Sequence, residues 1–341
     1  MSDRLTLNWS GRHCLVWAGG RSRMRTVTLD TDSDDDIAVV MQRRAGAGYG
    51  GDQSYQVTDD EELRLAWSWC SHVTDLVTSG HMRQSVRSGV RCPGVRSVLR
   101  SGHNTQQRSV SWSGRQVVTY TSPAREAVLR LCGWRGDHQS LSLTAPADHL
   151  SSSARQAAVA IFNLDLRRAL QELQTGATLA RSAGDSELSN VLSMVSVAVS
   201  GYPGDTDTDL WRDTVSASLS SLPHPALRAI FSFLTCRDAG YSSVLEEQGL
   251  LLVDRLGFAV TFLDDAGLES FIEREWEGLL SAGRLEGLVI SGGDDDGVQL
   301  LQRYVDRTGD VQSVSWLSVR MMSVEQSKSD QVLSWLESYR Y

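Results

Sequence analysis

The sequence predicts a mainly α-helical protein, an irregular α-solenoid of stacked helix pairs preceded by a short β-hairpin. Two observations lead to this fold class. Apolar residues recur at helical spacing in successive segments after residue 34, and short turns rich in Pro, Gly or Asp join those segments. Strand-like alternation is confined to the opening residues. Because no strict repeat length is visible, a compact helical bundle is the structural alternative.

Composition excludes several classes of protein. The chain has 341 residues, of which 41% are hydrophobic and 22% charged, so it can bury a substantial core. Its formal net charge is -9, and binding to nucleic acid requires clustered positive charge. We therefore predict no nucleic-acid partner.

Membrane insertion, secretion and metal binding have no sequence support. The longest apolar runs stop at Asp254 and Asp264, well short of the roughly 20 residues that a bilayer requires. The first residues contain no apolar signal region, which predicts a reducing compartment. The five cysteines are far apart in sequence and lack the spacing of zinc ligands. We predict buried free thiols and no metal site.

Residues 1–33 are predicted to form a β-hairpin. Leu5, Leu7 and Trp9 alternate on one strand, Ser10-Gly11 would be the turn, and a second strand would include Trp17. A two-stranded hairpin is only marginally stable in water, so these strands should join a larger sheet. Trp9 and Trp17 are our candidate partner contacts.

The first helices are predicted over residues 34–80. One starts at Asp34, and another follows the acidic run that begins at Asp59, where carboxylates favour a helix N-terminus. Leu63, Trp67 and Cys70 lie on the apolar stripe of that second helix. Residues 81–122 are rich in Ser, Arg and Gly without clear periodicity, and we predict a flexible loop there.

The remaining residues, 123–341, are predicted to form the α-solenoid. The first of these helices begins at Pro123, a favourable position in a first turn. The later candidate helices are 154–162, 164–173, 186–200, 208–222, 225–234, 249–263, 266–280, 297–305, 311–321 and 329–339.

No catalytic or cofactor-binding residue is predicted. Asp30, Asp32 and Asp34 alternate like the first ligands of a calcium loop, but the position for the required glycine holds Asp35. The glycine-rich run 46–51 follows a predicted helix, whereas a dinucleotide-binding loop follows a strand. No nucleophile elbow or paired-histidine motif is present. We predict that the chain is not an enzyme; a helical enzyme with a dispersed site is the alternative.

Several stretches of the chain resemble one family, in the same order. They are Ala157–Ala169, Val197–Tyr202, Leu210–Arg212, Phe231–Thr235, Asp254–Ala259, Leu285–Leu288, Tyr304–Gln312 and Trp335–Arg340. They are similar to the middle, helical region of the Mio (missing oocyte) family, WD-repeat subunits of the GATOR complex, also called the SEA complex.

This resemblance implies a function. It implies a non-catalytic scaffold that relays amino-acid sufficiency to positive regulation of target-of-rapamycin signalling. The implied partners are other GATOR subunits and small propeller proteins of the Seh and Sec type. The implied location is cytoplasmic, peripheral at the lysosome or vacuole membrane. A vesicle-coat or nucleoporin-like scaffold in membrane trafficking is the alternative function.

Family members carry a β-propeller before this region and a zinc-binding module after it, and this sequence has neither. We therefore expect a fragment or a truncated product. The hairpin is then either the last blade of the family's own propeller or a blade inserted into a partner's incomplete propeller.

Overall fold

The computed structural model describes residues 13–18, 21–26, 60–82, 91–100, 102, 104–135, 149–202, 208–218, 222, 224–236, 241–247 and 249–340. Its strands are β1 (His13–Ala18), β2 (Arg21–Thr26), β3 (Gln106–Trp112) and β4 (Arg115–Thr121). Its helices are α1 (Glu61–Thr78), α2 (Val95–Arg100), α3 (Pro123–Leu131), α4 (His149–Phe162), α5 (Leu166–Ser182), α6 (Ser186–Ser200), α7 (Thr208–Ser218), α8 (Pro225–Thr235), α9 (Ser242–Leu245), α10 (Leu252–Phe262), α11 (Asp265–Ala282), α12 (Leu288–Ser291), α13 (Asp295–Thr308), α14 (Val311–Met321) and α15 (Asp330–Arg340).

The chain divides into two compact units. One contains Met1–Val98 together with Glu273–Tyr341, and the other contains Leu99–Ile272. They are called the discontinuous unit and the central unit below. The division falls inside α2 and α11, so neither boundary coincides with the predicted limits at residues 34, 81 and 123.

Aspartate side chains cap the N-termini of several helices. A carboxylate before the first turn accepts hydrogen bonds from backbone N–H groups that have no partner within the helix. Asp60 accepts from Glu62 N at 2.9 Å and from Leu63 N at 3.3 Å. The equivalent caps are Asp165 on α5, Asp185 on α6, Asp294 on α13 and Asp310 on α14. These caps explain why acidic residues marked the helix starts in the sequence.

The core of the central unit is an aromatic cluster around α10. Phe258 lies at its centre, with ring centroids 4.9 Å from Phe162, 5.7 Å from Phe233 and 4.6 Å from Phe262. Tyr241 lies 5.4 Å from Phe258. Most of these pairs meet edge to face or tilted, the arrangement that the ring quadrupoles favour.

A buried ion pair joins α10 to α4. Asp254 is 2% exposed and accepts from Arg155 Nε at 2.7 Å and Nη2 at 2.8 Å. Trp134, which follows α3, donates its indole N–H to the same carboxylate at 3.0 Å. A buried carboxylate is tolerated only when hydrogen bonds and opposite charge replace its lost hydration. Here a bidentate arginine and an indole supply both.

A second buried arginine closes the C-terminal end of α10. Arg125 on α3 donates to the carbonyl oxygen of Leu263 at 2.8 Å and to Asp265 Oδ1 at 2.7 Å. It therefore satisfies a carbonyl at the end of α10, where backbone acceptors have no partner within the helix. The hydrogen bond from Arg125 is the main cause that lowers the pKa of Asp265. The stabilisation from this pair is present above the ordinary carboxyl pKa and is lost as the pH falls through the lowered value.

In the discontinuous unit, α1 is tied to the later helices by one carboxylate. Glu62 accepts from the backbone N–H of Leu285 at 2.6 Å and from Arg307 Nη2 at 2.7 Å. The apolar side of α1 packs beside α14, where Trp67 meets Trp316 edge to face at 6.1 Å. Residues far apart in sequence thus complete one core.

The prediction of a flexible loop over residues 81–122 is wrong for much of that stretch. The structure places α2 and the antiparallel hairpin β3–β4 there, with Gln106 opposite Thr121 and Trp112 opposite Arg115. Ser113 and Gly114 join the strands with φ values of 49° and 83°, the left-handed pair of a tight hairpin turn. Val117 on β4 is buried, which anchors the hairpin.

The helix predictions are confirmed where the structure describes them, with shifts at their ends. The helices at 186–200 and 311–321 have the predicted bounds, whereas α5 extends nine residues beyond the predicted end at 173. The strand predicted around Trp17 exists as β1, but its described partner is β2, with Trp17 opposite Ser22. Leu5, Trp9 and the helix predicted to start at Asp34 lie outside the described residues.

Candidate protein-binding surface

The structure describes the backbone of one of the two residues predicted to contact a partner. Trp17 is on β1, and Trp9 lies outside the described residues. Their role in binding stays a prediction.

The described residues contain neither a cluster of metal ligands nor a helix able to span a membrane. Across residues 60–82, 91–100 and the later described segments, no three His, Cys, Asp or Glu side chains are grouped to hold a metal ion. None of the described helices combines the length and the hydropathy needed to cross a bilayer.

Helix α6 of the central unit has apolar side chains on its exposed face. Met194 and Val197 are three residues apart and share a face, and they are 63% and 71% exposed. On the opposite face, Ser189 and Ser196 are buried among apolar residues. Ser189 Oγ and, on α14, Ser315 Oγ are the buried side-chain oxygens without a hydrogen-bond partner among the described residues. In a helix whose outer face meets only water, polar side chains would lie on that exposed face and apolar side chains would be buried.

Neighbouring helices fix α6 in this orientation. Leu192 and Val195 pack inward, and Leu192 Cδ1 lies 3.1 Å from the position that a Cβ on Gly176 of α5 would occupy. The absence of a side chain at Gly176 lets α5 approach α4, since the same Cβ would come within 2.6 Å of Ser153 Cβ. The exposed face of α6 is thus a consequence of close helix packing.

Helix α7 extends the exposed apolar surface. The Trp211 indole donates to the carbonyl oxygen of Ala198 at 3.2 Å and its ring lies 5.3 Å from that of Tyr202, which anchors α7 beside the C-terminal end of α6. The adjacent residue, Leu210, is 78% exposed. We call Met194, Val197 and Leu210 the α6–α7 surface.

The charged side chains of α6 and α7 are mainly acidic. Glu187 is in the first turn of α6, Asp185 caps that helix, and Asp209 and Asp213 are exposed on α7. Arg212 forms an ion pair with Asp209 at 3.0 Å, which offsets one of these carboxylates. Long-range attraction would therefore favour a partner with basic residues around an apolar centre.

Sequence analysis missed the α6–α7 surface, although one signal was available. Residues 191–199 include apolar side chains at both buried and exposed positions. Their periodicity alone therefore does not show which face of α6 packs against the core. The absence of Lys and Arg from α6 was the usable sign, because solvent-facing helix surfaces normally carry charge.

The discontinuous unit also exposes apolar side chains near its C-terminal end. Val319 on α14 is 47% exposed, Val324 is 62% exposed, and Leu333 on α15 is 43% exposed. Single exposed apolar residues are ordinary. Helix α14 also buries serines, so the α6–α7 surface differs only in its exposure: Met194, Val197 and Leu210, at 63%, 71% and 78%, are each more exposed than any of these three residues.

The fold defines an α-solenoid protein with an apolar helix surface left exposed. A family model described as "MIOS, alpha-solenoid" matches residues 41–262. The chain belongs to the Mio (MIOS) family.

Curated relatives agree with this assignment. The GATOR2 complex protein MIOS of Danio rerio is 34% identical over 99% of this chain. The GATOR2 complex protein Mio of Drosophila melanogaster is 25% identical over 81% of the chain, and SEH-associated protein 4 of Saccharomyces cerevisiae is 26% identical over 89%. The aligned regions are 40%, 32% and 32% of those proteins. The chain therefore spans well under half the length of these relatives.

Proposed function

We propose that this chain is a non-catalytic scaffold subunit of a GATOR2-type complex. The similarity to GATOR2 subunits along nearly the whole chain is the observation that carries the proposal. In this role it would relay amino-acid sufficiency to positive regulation of target-of-rapamycin signalling. It would work as part of an assembly peripheral to the lysosome or vacuole membrane.

Two features of the molecule support a scaffold rather than an enzyme. Stacked helices present long surfaces that bind several proteins at once. The α6–α7 surface exposes three large apolar side chains, and apolar residues at interfaces are ordinarily covered by a partner. We propose that another protein subunit covers this surface.

Capture of partners from the organism's own cells tests the proposal. The tagged chain should retain proteins related to GATOR subunits, including a small Seh-type propeller; one relative is itself named as SEH-associated. Mass spectrometry of the retained proteins identifies them. Recovery of vesicle-coat or nuclear-pore proteins without GATOR subunits would favour the trafficking scaffold instead.

Replacing Val197 with Asp should weaken capture of the subunit that covers the α6–α7 surface. A carboxylate at a covered apolar position loses its hydration without gaining a partner, so we expect at least about a tenfold loss of affinity. Because Val197 is 71% exposed in the isolated chain, its stability should barely change. Binding is measured by titration with the purified subunit.

The matched control is Gln174→Asp, which adds the same charge at an exposed position of α5. It should leave capture unchanged. Equal losses from both variants would indicate a general charge effect and would count against the α6–α7 surface.

Deleting residues 1–26 tests the role of the hairpin β1–β2. If it is a blade inserted into a partner's propeller, the outer edges of its two strands would complete that sheet, and the deletion should abolish capture of a Seh-type propeller. Helical content by circular dichroism should stay nearly unchanged. Retained capture together with less aggregation would instead assign the hairpin to the family's own propeller.

A further inference from the structure

Two cysteines of the discontinuous unit lie in contact. Cys70 Sγ and Cys92 Sγ are 3.8 Å apart, and both residues are completely buried. We propose that Cys70 and Cys92 form a redox-sensitive pair, which a peroxide oxidises to a reversible intramolecular disulfide.

Both cysteines are held in place by their backbones. Cys70 is in the middle of α1, on the stripe that also buries Trp67 and Val73. Cys92 N–H donates to the carbonyl oxygen of Met321 at 3.2 Å, and the Cys92 carbonyl accepts from Gly293 N–H at 3.0 Å. With both chains anchored, side-chain rotation has to bring the sulfurs from contact to the bond length of about 2.05 Å.

The segment around Cys92 has little freedom to move away from α1. Pro93 bridges to Gly292, and a Cβ on Gly94 would lie 2.3 Å from the carbonyl oxygen of Ile290. The two backbones approach so closely that only a residue without a side chain fits at position 94. These contacts set the resting position of Cys92, and a peroxide reaches the buried sulfurs through local opening of the unit.

The surroundings of the two thiols differ in a way that suits disulfide chemistry. The hydrogen-bonding contact between the two sulfurs is the main cause that lowers the pKa of Cys92, and the nearby Arg320 and Arg91 act in the same direction. The pKa of Cys70 is raised by the same contact and by burial. Thr74 Oγ1 lies 3.9 Å from Cys92 Sγ, and this contact also lowers the pKa of Cys92. Cys92 is thus the more nucleophilic sulfur of the pair.

One molecule of hydrogen peroxide oxidises the two thiols to the disulfide. The Cys92 thiolate attacks a peroxide oxygen and breaks the O–O bond, which leaves a sulfenic acid on Cys92 and, after protonation, one water. The Cys70 sulfur then attacks the Cys92 sulfur, the S–S bond forms, and the hydroxyl group leaves as a second water. Two thiols lose two electrons in total and hydrogen peroxide gains them. A dithiol reductant reverses the reaction by thiol–disulfide exchange.

Cys132 provides a contrast within the central unit. It is buried as well, but desolvation and the Asp254 carboxylate raise the pKa of its thiol, which disfavours the reactive thiolate. Burial alone therefore does not account for the lowered pKa of the Cys92 thiol.

The disulfide would tie α1 to the segment that follows it. A bond between residues 70 and 92 closes a loop in the unfolded chain and so lowers the entropy gained on unfolding. Oxidation should therefore make the discontinuous unit harder to unfold. This effect is independent of the proposed membership of a GATOR2-type complex, so either idea can fail without the other.

Peptide mapping of the whole chain tests the pair. The folded protein is treated with hydrogen peroxide, its free thiols are alkylated after denaturation, and it is digested with trypsin. We expect a cross-linked species of residues 65–83 and 92–96, an intact mass lower by about 2 Da before alkylation, and a Tm raised by at least about 3 °C. Dithiothreitol should reverse all three changes.

Variants separate this disulfide from other oxidation. Cys70→Ala and Cys92→Ala should each abolish the cross-link and the Tm rise, whereas Cys132→Ala should retain both. Because both cysteines are in the core, circular dichroism first establishes that each variant is folded. Recovery of Cys70 and Cys92 as separately alkylated peptides from peroxide-treated wild-type protein would overturn the proposal, as would an unchanged Tm rise in Cys92→Ala.

Discussion

Replacing Asp254 with Ala should lower the free energy of unfolding of the central unit by about 3–5 kcal/mol. The substitution leaves the buried Arg155 guanidinium without its carboxylate and removes the acceptor for the Trp134 indole. The cost arises from uncompensated burial of charge rather than from the strength of the ion pair itself. Urea unfolding followed by circular dichroism and tryptophan fluorescence measures the change.

The double variant Asp254→Leu with Arg155→Met provides the decisive comparison. Replacing both charges by apolar groups of similar size removes the desolvation penalty, so much of the lost stability should return. Arg168→Ala is the matched surface control, since that side chain is 67% exposed and pairs with Glu172 at 3.7 Å. It should change stability by less than about 1 kcal/mol. A double variant that is less stable than Asp254→Ala would contradict this account of the ion pair.

The helices could be predicted because their signals are local. Each of Asp60, Asp185 and Asp310 precedes an apolar stripe, and in the structure each caps the helix that follows. The apolar period then fixes which residues face inward. The helix ends were less predictable, because the last turn depends on tertiary contacts that a local pattern does not contain.

The hairpin β3–β4 could not be predicted from the amino-acid composition of its segment. Most of β3 is exposed and polar, so it looks like a loop, and only Trp112 at its end is buried. Its stability comes from β4, which packs on α10, more than 130 residues further along the chain. The dipeptide Ser113-Gly114, followed closely by the β-branched residues Val117, Val118 and Thr119, was the available sign, and the abundance of Ser and Gly nearby concealed it.

The candidate surfaces and the thiol pair could not be predicted for a different reason. Cys70 and Cys92 are separated by 22 residues, and only the close approach of residues 92–94 to Gly292 brings the sulfurs together. The α6–α7 surface requires knowledge of which helix face is covered by α5. Long-range packing decides both, and a single sequence does not record it.

Replacing Phe258 with Ala should lower the free energy of unfolding by about 3–5 kcal/mol, and Phe262→Ala by a similar amount. Both residues are buried, and the Phe258 ring lies within 6 Å of the Phe162, Phe233 and Phe262 rings. Removing it leaves a cavity that the surrounding rigid rings cannot easily fill. Urea unfolding measures the loss, and a loss below about 1 kcal/mol would contradict the central position of this residue.

Two comparisons make the Phe258 test specific. Phe258→Leu keeps most of the volume and should cost clearly less than Phe258→Ala, and Met194→Ala, at a 63% exposed position, should change stability by about 0.5 kcal/mol or less. Asp254 lies one helical turn before Phe258, and Trp134 both donates to Asp254 and stacks on Phe162 at 5.9 Å. The losses from Asp254→Ala and Phe258→Ala should therefore not add, because both substitutions free the same ring to move. Strictly additive losses in the double variant would show that the ion pair and the aromatic cluster are independent parts of the core.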